Sequence, residues 1–144
     1  MRILVVAGVV LVLFPLGTAT ALPKKELASA ADDICLKYAK KAKRLKTGDL
    51  SRHKAAVRYF RKLYGLARAQ QKEFAALKAD VEVRRLYRRF LRVGRRIVRV
   101  LRDLRDAVVS RDERRSQRFI RKLPSLAATF DRVARRLGAL RCVG

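Results

Sequence analysis

Between Val83 and Val108, apolar side chains recur at alternating steps of three and four: Val83, Leu86, Phe90, Val93, Ile97, Leu101, Leu104 and Val108. A strand alternates by two; this period belongs to a helix lying along another helix. A seam this long commits the chain to helical packing. A second seam precedes it, at Ala56, Phe60, Leu63, Ala67, Gln70, Phe74 and Leu77, apolar at every position except Gln70.

Two shorter faces flank these seams. Ala31, Ile34, Cys35, Tyr38, Ala42 and Leu45 form one, over a helix read from Glu26 to Lys46. Phe119, Leu123, Leu126, Phe130, Val133 and Leu137 form the other, and Pro124 within it should kink or restart the helix. The boundaries follow from local chemistry. Gly48 reads as the cap that ends the first helix, and Asp80 as the N-cap of the third. Ser110 to Glu113 matches a capping box, and Gly138 closes the fourth helix. The second helix runs from about Ser51 to Lys78, and the third ends near Val109. Short connections make neighbours antiparallel, so the expected fold is all-α, a four-helix up-down-up-down bundle with a short first helix. That first helix is too short to match the fourth. An extended Thr47 to Lys54 connection climbing the bundle reconciles the lengths. Gly65 and Gly94 lie equally far from the turn at residues 79 and 80 and read as two tolerated glycines at one height, costing about 1 kcal/mol each.

The N-terminus has another character. Arg2 precedes an apolar run from Ile3 to Leu16, too short for a membrane span, and Ala19-Thr20-Ala21 offers a small-x-small cleavage site. The reading is a signal peptide over residues 1–21, cleaved after Ala21 with Ala19 and Ala21 as the recognised small residues, and one domain over residues 22–144. The expected location is extracellular or in the cell envelope. Two alternatives stay open: an uncleaved segment that anchors the protein to the membrane, and inverted insertion that leaves the domain in the cytosol.

The only two cysteines, Cys35 and Cys142, lie near the two ends of the domain. In an exported chain two lone cysteines pair. An up-down-up-down bundle brings the start of the first helix and the end of the fourth to one end, where a bond can form. Two thiols and one distant His53 do not make a metal site.

The functional signal is charge. The chain carries 37 basic and 12 acidic residues, a formal +25. Arg84, Arg85, Arg88, Arg89, Arg92, Arg95, Arg96 and Arg99 fill nearly every position that the seam of the third helix leaves free, with no acid among them. Several stand four apart, a mutually repulsive spacing. Such a face attracts polyanions: anionic lipid headgroups, wall phosphate polymers or other polyanions. A bundle whose charge is incidental to partner binding, and an intracellular nucleic-acid binder, are the competing readings. The second lacks any zinc-finger spacing, phosphate loop or aromatic sheet motif. No catalytic constellation is evident, and neither a cofactor nor a small-molecule substrate is expected. His53 reads as solvated in a polar helix start, Asp131 and Glu73 as partners of arginines, and Tyr59, Tyr64 and Tyr87 as flanking the core.

Ile34-Cys35 shortly after the leader, and the closing Leu137-Gly138-Ala139-Leu140-Arg141-Cys142-Val143-Gly144, give the layout a resemblance. It resembles small exported helical-bundle proteins of unknown function from high-GC actinobacteria. The resemblance implies a disulfide-closed bundle and no active site. Many such proteins are acidic or near neutral, so the basic charge here departs from the pattern.

Overall fold

The computed structural model describes residues 20–144, so Ala19 and the apolar run before it lie outside the described residues. The fold is all-α. Five helices follow in order: α1 Lys24–Lys43, α2 His53–Ala76, α3 Val81–Val109, α4 Glu113–Ile120 and α5 Leu123–Leu137. A single 3-10 turn, Leu140–Cys142, closes the chain. α4 and α5 are the fourth helix of the sequence reading, broken as Pro124 requires. Proline has no N–H to donate and fits the first turn of a helix, and here it sits at the start of α5.

The α2/α3 hairpin is the frame. His53 Nε2 donates to Val108 O (2.9 Å) at one end, and Tyr87 donates to Phe74 O (2.6 Å) near the other, so the two helices run antiparallel. The turn between them is pinned from outside. Leu22 N donates to Lys78 O (2.7 Å), and Asp80 N donates back to Leu22 O (2.9 Å). Asp80 also caps α3, accepting from Val81 N.

The core lies at this end of the hairpin. Leu27, Ala31, Ile34, Cys35 and Tyr38 of α1 meet Phe74 of α2, Val83, Tyr87 and Phe90 of α3, and Val133, Ala134 and Leu137 of α5. Phe90 is fully buried and is its aromatic centre, 5.0 Å from Phe74 edge-on and 4.7 Å from Phe130. Cys35 and Cys142 form a disulfide across 107 residues, with Cα atoms 5.1 Å apart. It fastens the C-terminal turn to α1. Arg141 N donating to Asp32 Oδ1 (2.8 Å) holds the same seam.

Several local expectations need correction. α1 stops at Lys43, and Gly48 is not its cap: Arg44 is, and Gly48 sits inside a non-helical connection over residues 44–52. This connection carries the chain from the end of α1 to His53 at the start of α2. The break before Pro124 divides the fourth helix into two shorter pieces, the other of the two ways, besides an extended connection, in which the length mismatch could be met. The capping box at Ser110 does not form. Asp112 takes the N-cap role, accepting from Arg115 N (2.9 Å), while Ser110 Oγ bonds back to Asp106 O (3.0 Å) at the end of α3. Arg111 adopts a positive φ of 57° between the two helices, and that swing shifts the cap two residues on. Gly138 does cap α5, with φ 91° and its N–H on Ala134 O and Arg135 O.

The two glycines differ in their surroundings. Gly65 faces open space, whereas Gly94 is buried opposite Gln71, and a Cβ there would collide with Gln71 Oε1. The hairpin contacts keep the two glycines at nearly the same height, but they do not face each other: the side chain of Gln71 reaches along α2 to fill the space beside Gly94.

Candidate polyanion-binding face

α3 divides cleanly by face. Val83, Tyr87, Phe90, Val93, Leu101 and Leu104 are buried. On the opposite side Arg84, Arg85, Arg88, Arg89, Arg92, Arg95, Arg96 and Arg99 are all exposed. With 3.6 residues per turn the eight fall within an arc of about 140°, and at 1.5 Å per residue they span about 22 Å of helix axis. The sequence places them together, and the fold keeps them together and uncovered.

Among the described residues, none of the eight has a carboxylate partner. The ion pairs among the described residues are Lys37–Glu73, Arg52–Asp49, Arg102–Asp103 and Arg105–Asp106. The acids near the end of α3 are thus spent on Arg102 and Arg105. Asp103 receives both Nε and Nη2 of Arg102 (3.0 and 2.9 Å) and raises its already high pKa. Arg84 to Arg99 is a stretch of uncompensated positive charge. Adjacent turns of it repel one another, and the field extends about a Debye length into solution.

At one border of this face the charge becomes concave. Arg95, Arg99 and Arg102 of α3, with Tyr64 and Gln71 of α2 and Val98 beneath, line a cleft of about 230 Å³. The guanidinium of Arg105 lies 4.5 Å over the ring of Tyr64. Gln71 donates to Leu91 O (3.2 Å) in the space that Gly94 leaves open. Sequence reasoning missed Tyr64 and Gln71 as members of a site. The available signal is a matched spacing: Tyr64 and Gln71 stand seven apart on one helix, as Arg95 and Arg102 do on its neighbour.

On the inner side of the hairpin is an apolar groove of about 400 Å³. Tyr38, Leu63, Ala67, Ile97 and Leu101 line it, together with both cysteines of the disulfide. Tyr38 is buried and donates to Glu73 Oε1 (2.7 Å), which also accepts from Lys37 Nζ (2.6 Å). Burial and the Glu73 carboxylate push the Tyr38 phenol up to about 12, and the same bonds hold Glu73 below its ordinary range. This cluster braces α1 against α2. It also corrects the reading of Glu73, whose partners are a lysine and a phenol, with no arginine among them.

The other candidates fall outside the face. Among the described residues Asp131 accepts from Gly144 N, at 3.4 Å, and from no arginine. His53 is half-buried and ties α2 to α3, where a solvated ring was expected. Tyr87 is itself core, its hydroxyl consumed by Phe74 O. Among the described residues, no helix is long and apolar enough to cross a membrane. No protein family, curated protein or solved structure matches this chain.

Proposed function

We propose that this protein is an exported, non-catalytic helical module that associates with polyanions of the cell envelope through the outer face of α3. One observation carries the reading: eight exposed arginines on a single helix face, with no carboxylate paired to any of them. Incidental charge on a soluble bundle is ordinarily interspersed with acids. An arginine face with its neighbouring acids committed elsewhere is suited to phosphate and carboxylate groups, which guanidinium binds in bidentate fashion.

Export is supported by the apolar leader and the Ala19-Thr20-Ala21 site. The Cys35–Cys142 bond suits an oxidising compartment. Leu22, the first residue after the expected cleavage, is already held by backbone bonds at the α2/α3 turn, so a chain beginning there retains its anchor.

The test is retention. The domain over residues 22–144 should sediment with anionic vesicles and with wall phosphate polymer at low salt, and be released by several hundred millimolar salt, as screening requires. The triple variant Arg88→Glu, Arg92→Glu, Arg96→Glu should fail to sediment in low salt. Retention of that variant equal to the parent, or retention insensitive to salt, would overturn the proposal. A native protein of full-length mass with free thiols would move the address to the cytosol and make nucleic acid the polyanion to test.

A further inference from the structure

We propose that the cleft bounded by Tyr64, Arg95, Arg99 and Arg102 grips a terminal phosphate monoester, and so is where a polyanion is held as well as attracted. The inference rests on the polyanion reading above and names the group recognised. Along most of α3 the arginines project from a convex surface, where each meets an anion alone. At this border three guanidinium groups and a phenol converge on one concavity of about 230 Å³. That is several times the roughly 30 Å³ of a water molecule and below the roughly 300 Å³ where pockets for whole small molecules begin. The space fits one compact anionic group.

The number and disposition of donors select the group. A carboxylate or a phosphodiester offers two free oxygens and a single charge. A terminal phosphate offers three free oxygens and nearly two charges above its second pKa of about 6. Among the described residues Arg95 and Arg99 have no carboxylate partner and Arg102 shares its charge with Asp103, so the cleft keeps a net positive charge that a dianion offsets more fully than a monoanion. The lining is also held in place. Asp103 fixes Arg102 through Nε and Nη2 and leaves its remaining N–H groups free, while Arg105 sits over Tyr64 and orients the ring. Gln71 fills the gap opposite Gly94, which separates the cleft from the apolar groove behind it.

Lipid headgroups and soluble polymer ends present the same chemistry, and one experiment separates them. Sedimentation with vesicles containing phosphatidic acid is compared with vesicles containing phosphatidylglycerol, matched in surface potential, at about pH 7.5, where the monoester is largely dianionic. The expected result is release from phosphatidic acid at a salt concentration at least twofold higher. Arg95→Ala with Arg99→Ala should erase the difference while both vesicles still bind at low salt. Arg84→Ala with Arg85→Ala, elsewhere on the face, should weaken both equally and keep the difference. Circular dichroism of each variant checks that these surface changes leave the helices intact. Loss of the difference on adding glycerol 3-phosphate assigns the cleft to any phosphate terminus, and persistence assigns it to a membrane headgroup; either upholds it. Equal release from the two vesicles by the parent protein overturns the cleft and leaves the polyanion function standing. Failure to bind either vesicle overturns both.

Discussion

Gly94 of α3 and Gln71 of α2 occupy one space. The absent side chain of the first is filled by the amide of the second, which reaches across the hairpin and donates to Leu91 O (3.2 Å). Gly94→Ala would force Gln71 Oε1 aside, but that atom is the end of a flexible chain in a half-buried position. The loss is the one weak hydrogen bond, about 1 kcal/mol. The gain is the helix preference of alanine over glycine, also about 1 kcal/mol. The expected net change in stability by urea unfolding is near zero. In a Gln71→Ala background the clash is gone, and Gly94→Ala should stabilise by about 1 kcal/mol. A double-mutant cycle showing no coupling would refute the assigned contact.

The start of α4 discriminates two caps. Asp112→Ala removes the acceptor for Arg115 N and should cost about 1 kcal/mol. Glu113→Ala, which the capping-box reading would make comparably damaging, should cost only a few tenths through the helix dipole. Chemical denaturation of the two variants side by side decides between the caps.

That misreading shows where sequence pattern carries and where it stops. The long seams of α2 and α3 were legible because periodicity sums over many residues, and burial then enforces it at Val83, Phe90 and Leu104. The arginine face was legible for the complementary reason: positions the core does not use are free to carry charge. Cap identity at Ser110 or Asp112 turns on the single positive φ of Arg111, which no pattern announces. The Tyr64–Gln71 wall of the cleft and the Lys37–Tyr38–Glu73 brace depend on inter-helix register. Both turn on which side chains reach across from one helix to the next, which the periodicity of a single helix does not specify.

The disulfide should dominate the stability of the C-terminal segment. Cys142 belongs to a short 3-10 turn that packs on α1 and is also tied to it by Arg141 N donating to Asp32. By chain entropy, a bond closing a loop of this length stabilises by up to about 4–5 kcal/mol. Thermal unfolding with and without reductant should show a fall of several degrees or more, and Cys35→Ser should reproduce the reduced curve. Identical curves would mean that the bond constrains nothing.

Stability should have an alkaline limb set by Tyr38 and Tyr87. Its folded pKa is raised from 10.0 to about 12. The neutral phenol is favoured in the fold, so this contribution is fully present below about pH 10 and is lost as pH rises towards 12. Glu73 works with the opposite sign. Its folded pKa is lowered by the bonds from Lys37 and Tyr38, so its contribution is present above the ordinary carboxylate range and fades as pH falls through the lowered value. Tyr38→Phe should shrink the alkaline loss without abolishing it, because burial raises Tyr87 as well. Urea midpoints measured between neutrality and about pH 11 test the sign. A parent protein that gains stability over that range would contradict it.

The uncompensated arginines should cost the protein stability. Arg92 has Arg88 and Arg96 four residues away, and Arg89 and Arg95 three away, all exposed and like-charged. Each such pair is unfavourable by a few tenths of a kcal/mol, and Arg92→Glu turns all four into attractions. At low ionic strength that one substitution should stabilise the fold by about 1 kcal/mol or more, a gain that shrinks as salt screens the charges. The same change should weaken retention on anionic vesicles. A substitution that raises the melting temperature while lowering polyanion affinity is the signature of a face kept for binding at the expense of folding. If Arg92→Glu left both properties unchanged, the charge would be incidental, and the bundle's function would have to be sought elsewhere on its surface.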